Sequence, residues 1–153
     1  MYKRILVPLD GSRTAKAGFD EAVKLAKDQA ADLCLLHVLD NRVLMEGVGV
    51  DAVGIDQIIE STRTAGIKLL AKAETQVRKL RVPVKTLLIE NNGRDIASVI
   101  AGQARKWRAD LIVIGTHGRQ GVSRLFMGSD AESVAREATA PVLLVRSKSR
   151  KTS

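Results

Sequence analysis

Arg4-Ile-Leu-Val-Pro-Leu9, closed by Asp10-Gly11-Ser12 and followed by Ala15, Phe19, Ala22, Val23 and Ala26, is the stretch that decides the fold. An apolar run without alternation suits a strand buried on both faces. The Asp-Gly-Ser that ends it is a turn, and the apolar residues beyond recur at helical spacing, with Ser12 or Thr14 as N-cap. A doubly buried strand running into an amphipathic helix opens a parallel α/β arrangement.

The same alternation continues outward. Leu33 to Val38 reads as a second buried strand, and 40–56, carrying Gly47, Gly49 and Gly54, as a mobile connection. Ile58, Thr62, Ala65, Leu69, Ala73, Val77 and Leu80 mark the longest helix, read as facing the core and stopped by Pro83. Val84 to Ile89 gives a third strand, Asn92-Gly93 a turn, and Ile96, Val99, Ile100, Gln103 and Trp107 a helix face. Leu111 to Ile114 is a fourth strand, Ser129 caps a helix with Ala131, Val134, Ala135 and Ala138, and Pro141 to Val145 is a fifth strand. Right-handed crossovers then require one α/β domain over 1–147: an open parallel sheet with helices on both faces, followed by a basic tail at 148–153. In such sheets ligands bind beyond the carboxyl ends of the strands, which points to the loops after Leu9 and Ile114.

With 153 residues, 45% of them hydrophobic, the chain buries a sizeable core without staples. Cys34 is the single cysteine, so no intrachain disulfide forms, and a cytoplasmic protein is expected. No apolar run approaches the roughly 20 residues of a membrane span, and the N-terminal run is too short for a secretory signal. The net charge is +8, but Arg146, Lys148, Arg150 and Lys151 supply half of it from the last eight residues. Four aromatics cannot build a base-stacking platform, so no dedicated nucleic-acid partner is expected.

Gly115-Thr-His-Gly118, then nine residues, then Gly128-Ser129 opening a helix, is a pattern suited to phosphate. Glycines let the backbone approach an oxyanion, and the helix start offers free N–H groups. It is not a Walker A loop, since no Gly-x-x-x-x-Gly-Lys-Ser/Thr occurs, so efficient P-loop hydrolysis is not expected.

With Val7-Pro-Leu-Asp10-Gly-Ser12, Leu36-His-Val38, Ala109 to Arg119, Gly128-Ser129 and Ala140-Pro-Val-Leu-Leu-Val145, nearly the whole chain resembles the universal stress protein family. The resemblance implies a Rossmann-like sheet of order 3-2-1-4-5 with ATP across the ends of strands one and four. It implies Asp10 and Val38 against adenine, Pro8 and Leu9 lining the base with Ile114 nearby, and Gly115, Gly118, Gly128 and Ser129 holding ribose and phosphates. His117, Arg119 and Arg124, carried on the same loop, are secondary candidates for phosphate contact. Asp130 departs from the pattern: a carboxylate in the first helical turn suits the helix dipole but repels polyphosphate, and Mg2+ would reconcile the two. The resemblance also implies a homodimer through the edge strand Pro141–Val145, where an exposed apolar edge invites pairing.

The expected function is thus an ATP-binding or adenine-nucleotide-binding, dimeric, nucleotide-dependent stress-response regulator with an unnamed protein partner. Catalysis is slow or absent, at most a weak Mg-dependent ATPase. The alternative is a nucleotide-independent, chaperone-like interaction module. Asp10 can simply begin an Asx turn with Gly11. Cys34 and His37 sit at an odd strand offset, hence on opposite faces, and cannot share a metal. No Gly-x-Ser-x-Gly elbow supports a triad of His117, Ser129 and an aspartate. Gly47-Val-Gly49 lacks the third glycine of a dinucleotide fingerprint.

Overall fold

Arg4–Pro8 forms β1, and the Asp10-Gly11-Ser12 turn leads into α1 (Arg13–Gln29), in a computed structural model that describes residues 1–41, 52–116 and 129–147. The chain continues through β2 (Asp32–Asp40), α2 (Ala52–Lys79), β3 (Val84–Asn91), α3 (Ile96–Trp107), β4 (Leu111–Thr116), α4 (Ser129–Glu137) and β5 (Val142–Arg146). Every ladder is parallel and the order is β3-β2-β1-β4-β5, as expected.

The period of two along each strand sorts the core into two layers. Ile5, Val7, Leu33, Leu35, Leu111 and Val113 share one cluster with Phe19, Ala22, Val23 and Ala26 of α1 and Leu70, Ala73 and Val77 of α2. Leu6, Cys34, Leu36, Ile112 and Ile114 share the other with Ala97, Ile100 and Ala104 of α3 and Ala131 and Val134 of α4. A fully buried Leu or Ile side chain contributes about 1.5–3 kcal/mol, so doubly covered strands are the stable centre of the molecule.

Close approach completes the first layer. A Cβ on Gly115 of β4 would lie 1.8 Å from the Thr14 carbonyl oxygen, and one on Gly18 of α1 would lie 2.8 Å from the Gly115 nitrogen. The start of α1 therefore rests on β4 backbone to backbone.

Several boundaries and faces differ from the sequence reading. Gly115 and Thr116, expected in a loop, extend β4 because they pair with Val145 and Arg146. Leu9 lies past β1, and Pro141 precedes β5, its carbonyl accepting from the Ile112 N–H. Of the expected 40–56 connection, Asp40 belongs to β2 and 52–56 to α2, while 42–51 lie outside the described residues. On α2 the covered face is Gly66, Leu70, Ala73 and Val77, whereas Ala65 and the expected core positions Ile58 and Leu80 are exposed. Its 28 residues make a helix about 42 Å long, against about 26 Å for β3, so the ends overrun the sheet. Ala135 is likewise exposed on α4. Ser129 lies within α4 rather than at the cap before it.

Two side-chain devices fix how elements enter and leave the sheet. The Asp110 carboxylate accepts from the Lys3 and Arg4 N–H groups at 2.8 and 2.9 Å, fixing the entry to β1 against β4. Asn91, fully buried, donates to the Arg94 carbonyl at 2.5 Å and accepts from the Arg94 N–H at 3.0 Å. With Gly93 at φ +96°, this closes the turn read at Asn92-Gly93 and aims the first turn of α3 at the carboxyl end of the sheet.

Candidate functional site

The order 3-2-1-4-5 reverses direction between β1 and β4, so their following helices leave on opposite faces and a crevice opens between the strand ends. Pairing accentuates it. β1 pairs with β2 as far as Pro8↔Leu36, but with β4 only at Ile5↔Leu111 and Leu6↔Ile112. Pro8 has no N–H to give to a ladder.

A cavity of about 250 Å³ occupies this crevice. Eight residues singled out from the sequence line it together: Pro8, Leu9, Asp10, Val38, Ile114, Gly115, Ser129 and Asp130. They come from three strands, one turn and one helix, so only the fold assembles them. His117, Gly118, Arg119, Arg124 and Gly128 lie outside the described residues, as do Gly47, Gly49 and 148–153.

Other lining residues escaped the sequence reading. Ile96 and Ile100 were read only as a core face of their helix, yet they also wall the cavity beside Leu36 and Ala131. Ser12 and Thr14, read only as caps, add hydroxyls, and Ala15 closes that side. Sequence position offered one signal for Ser12: it ends the same turn as Asp10.

The polar rim is built locally. Asp10 Oδ1 accepts from the Ser12 N–H at 2.8 Å, so the Asx turn is real, and Gly11 takes φ +81°, which a side chain would strain. Ser12 Oγ accepts from the Ala15 N–H at 3.1 Å, making Ser12 the cap of α1, and lies 3.0 Å from the Thr14 hydroxyl. Asp10, Ser129 and Asp130 are exposed at the mouth. Among the described residues the lining carries two carboxylates and three hydroxyls but no lysine or arginine. Aliphatic walls with a hydroxyl and carboxylate rim can hold a flat, partly apolar group bearing donors.

Cys34 and His37 fall on opposite sides of the sheet, as the strand period required. Cys34 packs with the α3 and α4 layer, while the His37 ring lies against Gly66 of α2. No group of three or more His, Cys, Asp or Glu able to hold a metal occurs among the described residues. Burial pushes the Cys34 thiol up from 9.0 to about 11, with Lys85 pulling weakly the other way. Because the folded pKa is the higher one, the thiol's contribution to stability is intact below about pH 9 and is lost as pH rises toward 11. Iodoacetamide at pH 8 should leave native Cys34 unmodified for hours and label it within minutes in denaturant. Rapid labelling of the native protein would contradict this burial.

Comparison with known proteins agrees with this arrangement. The sequence model of the Universal stress protein family matches residues 1–146. The chain belongs to the universal stress protein family. Universal stress protein YxiE of Bacillus subtilis is 33% identical over 151 residues, covering 95% of this chain and 100% of the relative. Universal stress protein MJ0531 of Methanocaldococcus jannaschii is 33% identical over 147 residues, covering 95% and 83%. A crystal structure of a family member from Burkholderia pseudomallei superposes with a TM-score of 0.77 at 32% identity, covering 94% of this chain and 96% of that one. No helix among the described residues is long and apolar enough to cross a membrane.

Proposed function

We propose that this member of the family binds an adenine nucleotide in the cavity between β1, β2 and β4, and acts in the cytoplasm as a dimeric, nucleotide-dependent regulator of the stress response with little or no catalysis. The observation that carries the reading is the convergence of Pro8, Leu9, Asp10, Val38, Ile114, Gly115, Ser129 and Asp130 on one cavity. Structures sharing the fold have been reported with AMP, from Arabidopsis thaliana at 16% identity, and with dAMP, from Archaeoglobus fulgidus at 24%. At those identities they share architecture, and the support for binding comes from this chain's own residues.

In this reading the purine lies between the aliphatic walls of Val38, Ile96 and Ile114, and the Asp10 carboxylate accepts from its exocyclic amine. Ribose and phosphates run toward the α4 N-terminus, held by Gly115, Gly118, Gly128 and Ser129. His117, Arg119 and Arg124, on the segment between Gly115 and Gly128, are the side chains this reading assigns to the phosphates. Mg2+ would suit this rim, because it takes one or two carboxylates and completes its shell with phosphate and water, and Asp130 is the carboxylate this reading assigns to it. The β5 edge, where Leu143 is 37% exposed, pairs with a second copy to form the dimer, which sedimentation equilibrium would read.

Calorimetric titration with AMP and ATP, with and without magnesium, tests the reading. Binding of either at micromolar concentration is expected, and no heat with both would contradict it. Asp130→Asn should tighten ATP about fivefold without magnesium and AMP about twofold or less, since repulsion grows with phosphate charge and is screened by solvent. Magnesium should erase the difference. Equal gains for both nucleotides would mean that Asp130 does not face the phosphates.

A further inference from the structure

Leu9 stands at the edge of the cavity without belonging to a strand, yet both of its peptide groups are held by β2. Its N–H donates to the Leu36 carbonyl at 2.8 Å, and its own carbonyl lies 2.6 Å from Nδ1 of His37. A carbonyl only accepts, so His37 carries a proton on Nδ1 and donates it there. That bond immobilises the peptide joining Leu9 to Asp10, the two residues through which β1 meets the cavity.

The half-buried imidazole has its place because α2 has no side chain above it. A Cβ on Gly66 would lie 2.6 Å from His37 Cδ2 and 3.1 Å from Nε2, and Leu88 Cδ1 stands 3.1 Å from the same point. His37 itself does not line the cavity. It is wedged between α2 on one side and the rim of the site on the other.

We propose that His37 is the positioning residue of the nucleotide pocket: through Nδ1–H it fixes the Leu9–Asp10 peptide, and Gly66 of α2 holds the ring in that setting. The proposal rests on the reading of the cavity as an adenine-nucleotide site. It makes the β1 rim sensitive to how α2 sits on the sheet, although neither His37 nor Gly66 touches the ligand.

Asparagine and leucine match in size, but only asparagine places an N–H donor where Nδ1 stands. AMP affinity, measured by calorimetry, should fall about tenfold in His37→Leu and stay within about threefold of wild type in His37→Asn, the range expected for one buried hydrogen bond. Gly66→Ala should weaken AMP about fivefold by displacing the ring, and should change affinity about twofold or less in a His37→Ala background, where the clash with the ring is gone and the Leu88 Cδ1 contact at 3.1 Å remains. A purely structural role would give no rescue by asparagine and no such coupling. Leucine binding as tightly as wild type, or asparagine as poorly as leucine, would overturn the proposal.

Amide exchange of Leu9 and Ser12 reads the same positioning without ligand. It should accelerate about tenfold in His37→Leu and little in His37→Asn. Failure of wild type to bind any adenine nucleotide, with this pattern of exchange intact, would remove the nucleotide reading and leave the positioning role; unchanged exchange in the leucine variant would remove the positioning role itself.

Discussion

Gly115→Ala is expected to cost about 3 kcal/mol of stability, lowering Tm by about 6–12 °C for a domain of this size. The added methyl would meet the Thr14 carbonyl oxygen at 1.8 Å and the Ala15 nitrogen at 2.9 Å. These are backbone atoms at the start of a helix, so no rotamer change relieves the clash and α1 must lift off β4. The cavity is lined on that side by Thr14, Ala15 and Gly115, so ligand affinity should fall together with stability. Gly102→Ala is the internal control with the opposite sign. Among the described residues its Cβ would meet only the Arg105 guanidinium, at 3.9 Å, and a helix interior gains up to about 1 kcal/mol from Gly to Ala. Thermal unfolding of the two variants should therefore move in opposite directions. A Gly115→Ala protein as stable as wild type would contradict the close docking of α1 on β4.

Asp10 separates two roles that coincide in one side chain. Its Oδ1 holds the Ser12 N–H, and in the proposed complex its remaining acceptor capacity receives the purine amine. Asp10→Ala loses both and should cost about 1 kcal/mol of stability and at least tenfold in AMP affinity. Asp10→Asn keeps an acceptor for Ser12 but turns an amide N–H₂ toward a ligand that is itself a donor. Its stability should stay within about 0.5 kcal/mol of wild type, while its affinity falls as far as that of the alanine variant. Chemical denaturation beside calorimetry distinguishes the cases. If asparagine binds AMP like wild type, Asp10 is a turn residue and no more.

These two positions show how far the sequence could be read. The unbroken apolar runs of β1 and β4 and the helical spacing of Ala15, Phe19, Ala22, Val23 and Ala26 were legible because period and burial are local properties. The odd offset of Cys34 and His37 foretold opposite faces for the same reason. Gly115 was read through its motif as a ligand contact, and it does line the cavity. Its strictest requirement, however, is contact with Thr14, about a hundred residues away, which no local pattern encodes. Ile96 and Ile100 look like any helical core face. They line the cavity from a helix that follows the turn in which the buried Asn91 bonds both backbone groups of Arg94. On α2 the apolar residues are too evenly spread to define one stripe, and the covered face is chosen by the extent of the sheet beneath it. The bond from His37 to the Leu9 carbonyl spans 28 residues and belongs to tertiary structure alone.

The most direct test of the central claim is a thermal-shift series on the purified protein with Mg-ATP, AMP, cyclic AMP and GTP, beside a Gly118→Asp variant. An adenine nucleotide at about 100 times its dissociation constant should stabilise the native state by about 2.7 kcal/mol, raising Tm by about 5–10 °C. That shift is expected for at least one adenine nucleotide, with a smaller one for GTP and none in the Gly118→Asp variant. No shift with any nucleotide, in protein verified free of carried-over ligand, would contradict it and leave the cavity as architecture for a nucleotide-independent interaction module.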